Sequence, residues 1–170
     1  MLETKDLILK QGSAQDWKSL YKNLWSQSAA FQYMFAKACA GELSGEKKTA
    51  AYAEMHKAVN TEYFVYEKQS DEAIGVAGLK ELQPGIFTVT DIAIGPAFWG
   101  RRYGTQILKV LLNTAFSEWG AKEVWYDCFS QNAVSSHLAL SCGFVYDHSE
   151  EAELKKDGET IILDYYKLVR

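Results

Sequence analysis

The sequence predicts an α+β fold, with one mixed, mostly antiparallel sheet and helices packed on both faces. Three observations carry that expectation. The consecutive runs YFVYE, AIGVAGLKEL and IFTVTDIAIG are rich in branched and aromatic residues and are joined by short polar connections, which favours an antiparallel meander. Helix and strand patterns alternate only in the middle of the chain. The chain ends on two strand-like runs that flank Asp157-Gly158, a strong two-residue turn signal.

Taken in order, residues 7–10 (LILK) read as a short strand. Ser13, with Asp16 three residues on, forms a variant capping box ahead of a helix whose Trp17, Leu20, Tyr21 and Leu24 share one face. A loop is expected around Gly41 to Gly45 and a second helix from about Lys48 to Val59. The three strands of the meander come next, separated by KQSDE and by the turn Gln83-Pro84-Gly85. Leu108, Leu111, Leu112, Ala115, Phe116 and Trp119 mark one side of the next helix, which Gly120 caps. KEVWYDCF is a strand, Asn132 to Cys142 a helix stopped by Gly143, and AELKK with TIILDYYKLV the closing hairpin. The order is βααβββαβαββ, in a single domain spanning 1–170.

At 170 residues the chain is long enough to bury a substantial core. Its 48% hydrophobic and 14% aromatic content excludes intrinsic disorder. A net charge of -4 argues against a nucleic-acid binder, which normally carries a basic face. No run approaches the ~20 apolar residues of a membrane span. MLETKDLILK carries charges where a signal peptide is apolar, so a cytoplasmic protein is expected. Cys39, Cys128 and Cys142 lack metal or redox spacing and read as reduced thiols.

The stretch FWGRRYGTQILK, residues 98–109, stands between a strand and an apolar helix. The first amides of a helix have no partners within it, and its dipole adds partial positive charge, so such a junction suits an anion. Gly100 and Gly104 allow close approach of the backbone, and Arg101, Arg102 and Lys109 add formal charge. A plain helix entry with solvated arginines reads equally well from the loop alone. It is neither G-x-G-x-x-G nor a Walker loop, so NAD binding and nucleotide hydrolysis fit poorly.

Two motifs at this separation decide between those alternatives. DIAIGPAFWGRRYGTQIL, followed by Asn132-Ala-Val-Ser135 leading into Cys142-Gly-Phe144, resembles the GNAT superfamily of N-acetyltransferases. The branch it looks most like includes the ribosomal-protein alanine acetyltransferases. The resemblance implies acetyl-coenzyme A as cosubstrate and no metal. Its pyrophosphate is expected on the amides of 100–105 (Gly100, Arg101, Arg102, Tyr103, Gly104 and Thr105), with Trp99 at the first motif position and Arg101 and Arg102 near the phosphates. Its pantetheine is expected along the third meander strand at Ile92, Ala93 and Ile94, as an added strand. Asn132 is expected to bond the pantetheine arm with Ser135 close by, although asparagine there is also a natural N-cap.

Two departures matter. Arg102 stands where the family motif has its middle glycine, and a positive φ there costs an arginine on the order of 1 kcal/mol. Ala139 stands where many members carry a tyrosine that protonates the departing thiolate. Ser141, His137 or water could substitute, with Ser141 the candidate acid.

The expected chemistry is direct attack of a primary amine on the thioester in a ternary complex, not an acetyl-enzyme on Cys128 or Cys142. It needs a positioned amine, an oxyanion donor near Ala93 or Ile94, and a base. Asp91, a charge in an apolar strand, is the base favoured, or else a carboxylate on that strand's solvent side; Asp127 and Tyr126 are weaker candidates. The acceptor, a small-molecule or peptide amine, is expected between residues 25–60 and 146–165. Phe31, Tyr33, Phe35, Tyr52 and Tyr146 are candidate lining, and Asp147, Glu150, Glu151 and Glu153 form a candidate acidic patch or a solvated loop. A monomer or homodimer is expected. The competing class is a non-catalytic module that binds coenzyme A as a sensor.

Overall fold

The computed structural model describes residues 1–13, 15–33, 62–154 and 159–170, with the side chains at 31, 62, 154 and 159 outside that description. The expected loop at Gly41 to Gly45, the helix from Lys48 to Val59 and the turn at Asp157-Gly158 lie outside the described residues, as do Phe35, Tyr52 and Cys39.

Strand β1 (Leu2–Glu3) turns back into β2 (Leu7–Lys10). Helix α1 (Trp17–Leu20) continues as a π-helical segment over Tyr21–Trp25, with a 3-10 turn at Ser28–Phe31. The meander is β3 (Glu62–Glu67), β4 (Ala73–Gln83) and β5 (Ile86–Ile94). A 3-10 turn at Pro96–Phe98 leads to α2 (Tyr103–Asn113), prolonged by a π-helical segment at Thr114–Glu118. Strand β6 (Glu123–Phe129), helix α3 (Ala133–Ser141) and the hairpin β7 (Val145–Leu154) and β8 (Glu159–Val169) complete the order.

These strands form one sheet in the order β1-β2-β3-β4-β5-β6-β8-β7. Every described pairing is antiparallel except β5 with β6, where the α2 crossover imposes a parallel one.

Two boundaries differ from expectation. Helix α1 starts at Trp17, because Asp16 takes the N-cap position while its carboxylate reaches back to the Ser13 amide (2.9 Å) and hydroxyl (2.7 Å). Strand β7 begins at Val145, so Asp147, Glu150, Glu151 and Glu153 lie on a strand and not in a loop. A register shift between Tyr146 and His148 breaks its alternation, and as the sheet edge it tolerates charge.

Two cores sandwich the sheet. On one face Ile107, Leu108, Leu111 and Leu112 of α2 pack on Leu7, Leu9, Val65, Leu79, Phe87, Val89 and Val124. Each of those leucines, fully buried, contributes roughly 1.5–3 kcal/mol. On the other face Leu20, Leu24 and Trp25 pack on Phe64, Tyr66, Val76 and Ala93.

A bulge in β5 opens the sheet at its centre. The β4–β5 register shifts between Gly78 and Leu79, leaving Thr90 without a partner position. Before it Phe87 and Val89 face α2; after it Ile92 and Ile94 do, and Ala93 faces α1. Bulges bend the strand that carries them. Pairing of β5 with β6 stops at Thr88 and Trp125, so the remainder of both strands borders an open gap.

Candidate active site

The loop at the mouth of this gap reaches the start of α2 through two left-handed residues. Gly100 has φ 78°, and a Cβ added there would meet no atom within 4 Å. Arg102, the N-cap, has φ 59°, so the missing family glycine does sit at a strained position. The first amide of this region with a carbonyl partner is that of Gln106, bonded to Arg102 O at 3.2 Å. Among the described residues the amides of Tyr103, Gly104 and Thr105 have none, as expected of a first helical turn. Open space beside Gly100 and unpartnered amides fit an anionic diphosphate.

The two arginines part company. Arg102 is exposed. The Arg101 guanidinium instead turns back to Glu67, with Nη1 donating to Oε1 at 2.7 Å, and stacks over Phe98. Its expected place near the phosphates is therefore corrected for the side chain. Gly104 has a reason beyond the one expected: a Cβ there would lie 3.3 Å from Leu138 Cδ2, so its absence also admits α3.

Along β5, Gly95 N donates to Ile74 O at 2.8 Å, toward β4. Alternation then turns the main-chain groups of Ala93 toward β4 and those of Ile92 and Ile94 toward the gap. A Cβ on Gly75 would lie 2.2 Å from Ala93 O, consistent with that direction. Ala93 is thus corrected: its amide and carbonyl belong to the sheet. Of Ile94, the carbonyl accepts the Trp99 indole N–H at 2.7 Å, leaving its amide for the gap.

Asp91, beyond the bulge, shares the α1 face with Ala93. Burial, then the charge of Asp127, lifts its carboxyl from 3.8 to about 6. Burial also raises Asp127. Asp127 alternates with Tyr126 and Cys128, which face α2 and α3, so it too lies on the α1 face, paired with Tyr165. Tyr165 and Tyr33 pack in a small cluster with Phe129 and Leu163 on this side. Tyr146 is exposed and bonds Ser149 (2.8 Å), while Asp147 is held by Lys167 (2.9 Å) and His148 (2.7 Å).

Behind the gap, Tyr126 is buried with its hydroxyl 2.7 Å from Ser135 Oγ, and burial pushes its ionisation far up. It is corrected as a candidate base, because it faces α3. Asn132 caps α3, its Oδ1 accepting the Ser135 amide at 3.1 Å, which leaves the two Nδ2 hydrogens and one Oδ1 lone pair for a ligand. Ala139 is fully buried in the α2-side core. Ser141 follows two residues later, about 200° around the helix. It is exposed and its hydroxyl bonds Leu138 O at 2.8 Å. Ser141 is corrected as an acid, and Ser141→Ala is expected to leave kcat within about twofold, checked by steady-state kinetics. His137 is exposed. Burial raises the Cys128 thiol to about 11, which disfavours a nucleophilic thiolate.

The profile of the acetyltransferase (GNAT) domain matches residues 6–145, most of the chain. The chain belongs to the GNAT acetyltransferase family. Its sheet, opened between β5 and β6 with helices on both faces, is the GNAT fold. A GNAT-family acetyltransferase from Bacillus anthracis superposes on it with TM-score 0.85 at 14% identity, covering 99% of this chain and 97% of its own. A spermidine N-acetyltransferase from Vibrio cholerae, solved with coenzyme A and spermine, reaches 0.77 at 18% identity, covering 98% and 96%. A ribosomal-protein α-N-acetyltransferase in complex with coenzyme A reaches 0.79 at 14%, covering 98% and 95%. No curated protein sequence matches this GNAT chain. No helix of the described residues is long and apolar enough to cross a membrane.

Two features of the site escaped the sequence. Glu67, buried at the end of β3, carries three side-chain bonds, and Thr90 holds a buried hydroxyl at the bulge that has no partner among the described residues. A charge closing the apolar run YFVYE was the only signal for the first.

Proposed function

We propose that this GNAT protein is an N-acetyltransferase that moves an acetyl group from acetyl-coenzyme A to a cationic primary amine by direct attack in a ternary complex. The observation that supports this is the β5–β6 gap, with a diphosphate-suited loop at its mouth and, in its wall, two carboxylates that meet no cation among the described residues. Gap-facing amides of Ile92 and Ile94 serve the pantetheine arm and the developing oxyanion. The amides of 100–105 and the Arg102 side chain hold the diphosphate, with Trp99 closing the loop on Ile94 and Asn132 and Ser135 at the far wall.

Asp91 and Asp127 repel one another, so an ammonium entering between them relieves an existing cost. That favours a polyamine or a peptide α-amine over a neutral acceptor. The bound ammonium first gives one proton to Asp91, which passes it to solvent; the neutral nitrogen then bonds to the acetyl carbon, its second proton passes to Asp91, and the carbon–sulfur bond breaks. Coenzyme A departs as a thiolate that takes its proton from water; a thiol pKa near 8.5 makes this feasible without the family tyrosine.

The test is a panel of amines, comprising spermidine, diamines, free amino acids, aminoglycosides and N-terminal peptides, with release of free thiol followed. Cationic amines are expected to turn over fastest. The buried Ala139 favours one alternative, a coenzyme A sensor. Tight coenzyme A binding with no thiol release from any amine would establish the sensor instead.

A further inference from the structure

We propose that Glu67 is a positioning residue that holds the loop at 100–105 in its anion-receiving shape and so sets affinity for the cosubstrate. Glu67 so acts only if that loop is the coenzyme A site proposed above.

Glu67 is 4% exposed and closes β3, opposite Leu7 of β2. Its Oε1 accepts from Arg101 Nη1 at 2.7 Å and from the Tyr103 hydroxyl at 2.8 Å. Its Oε2 accepts from Ser70 Oγ at 2.9 Å. Ser70 belongs to the turn after β3, where Asp71 N also bonds Glu67 O at 2.8 Å. One carboxylate therefore joins the base of the sheet to both neighbours of Arg102.

That placement is informative because Arg102 is left-handed, a conformation an arginine adopts only when its surroundings impose it. Arg101 and Tyr103, on either side, end on the same oxygen. With both flanking side chains pinned, the turn between them is over-determined and the following amides face outward. Gln106, one turn in, makes a second tie: its Nε2 donates to Asp6 Oδ2 at 2.7 Å and its Oε1 accepts from Thr4 Oγ1 at 2.7 Å. A buried carboxylate behind an anion site is otherwise unfavourable. Arg101 offsets its charge, which among the described residues leaves Arg102 and Lys109 as the free cations of this loop and helix start. Preorganising a loop in its bound shape raises affinity without a new ligand contact.

The test compares wild type with Glu67→Gln, Tyr103→Phe and the double variant. Three readouts serve: coenzyme A Kd by calorimetry, steady-state kinetics, and amide hydrogen exchange of residues 99–106 without ligand. Glu67→Gln is expected to raise the Kd and the acetyl-coenzyme A KM about tenfold, equal to about 1.4 kcal/mol. It should leave kcat and the amine KM within twofold and speed exchange across the loop. Tyr103→Phe should act in the same direction more weakly, and the double variant less than additively, because both act through one oxygen. Folded variants that lose thermal stability but keep wild-type Kd and loop exchange would overturn the positioning role alone. A wild-type protein that binds no coenzyme A would overturn the site itself.

Discussion

Asp91→Asn is expected to lower kcat about 10²- to 10³-fold while making the protein more stable. The activity loss follows from removing the group proposed to take the amine proton, a role worth roughly 10²- to 10⁴-fold. The stability gain follows from the same burial. The folded state holds the Asp91 proton up to about 6, against 3.8 ordinarily. Folding therefore favours the protonated carboxyl. The native state is relatively most stable below pH ~4, loses stability as pH rises from there to about 6, and stays level above that. The difference amounts to about 3 kcal/mol at neutral pH, as an order of magnitude. Asparagine keeps the shape and never ionises, so urea midpoints of variant and wild type should converge near pH 4 and separate through pH 6. The wild-type profile of kcat/KM for the amine should show an inflection near pH 6 that the variant lacks. Coenzyme A affinity should be unchanged. Full activity in the variant would move the base elsewhere, with Asp127 the next carboxylate in the gap.

Gly104→Glu is expected to raise the acetyl-coenzyme A KM about 100-fold, close to 2.7 kcal/mol, with kcat at saturation little changed. A carboxylate in the first turn of α2 is good for the helix, since it meets the positive end of the dipole. For that reason it competes with a diphosphate for the same amides. The steric part is separable. The new Cβ sits 3.3 Å from Leu138 Cδ2, so Leu138 must shift by a few tenths of an ångström. Gly104→Ala makes the same contact without the charge and should raise KM only slightly. Equal KM values for Gly104→Glu and wild type would show that these amides do not hold the cosubstrate.

Much of the architecture was legible because its signals are local. Alternating branched and aromatic residues mark β3, β4 and β5 wherever they pair, and the α2 helix shows its buried side at a 3.6-residue period. The helix start at 98–109 was legible for the same reason, since glycines and unpaired first-turn amides carry their physics with them, while its reading as an anion site needed the second motif at Asn132–Phe144. The first part of β7, ahead of Ala152, was not legible, because its acidic residues and its irregularity at Tyr146–His148 hide the period of two.

The residues of the gap divide along the same line. That Asp91 is an anomaly in an apolar strand could be read from its neighbours in the chain. That Ile92 and Ile94 face the gap while Ala93 does not depends on the bulge at Thr90, which shifts the phase of the strand against β4. Ser141 and Ala139 are two letters apart, yet one is solvent and the other core. Glu67 meets Arg101 and Tyr103 across 34 and 36 residues of chain, a distance over which no periodicity speaks.

Interactions between near neighbours in the chain were enough to specify most of the succession of strands and helices and the place of the loop, since backbone propensity and apolar period act at that range. Which amides are left for a ligand, where Arg101 points and how strongly Asp91 holds its proton were settled on folding. Those depend on desolvation and on charges brought together from β3, β5 and β6, and neither exists in the extended chain.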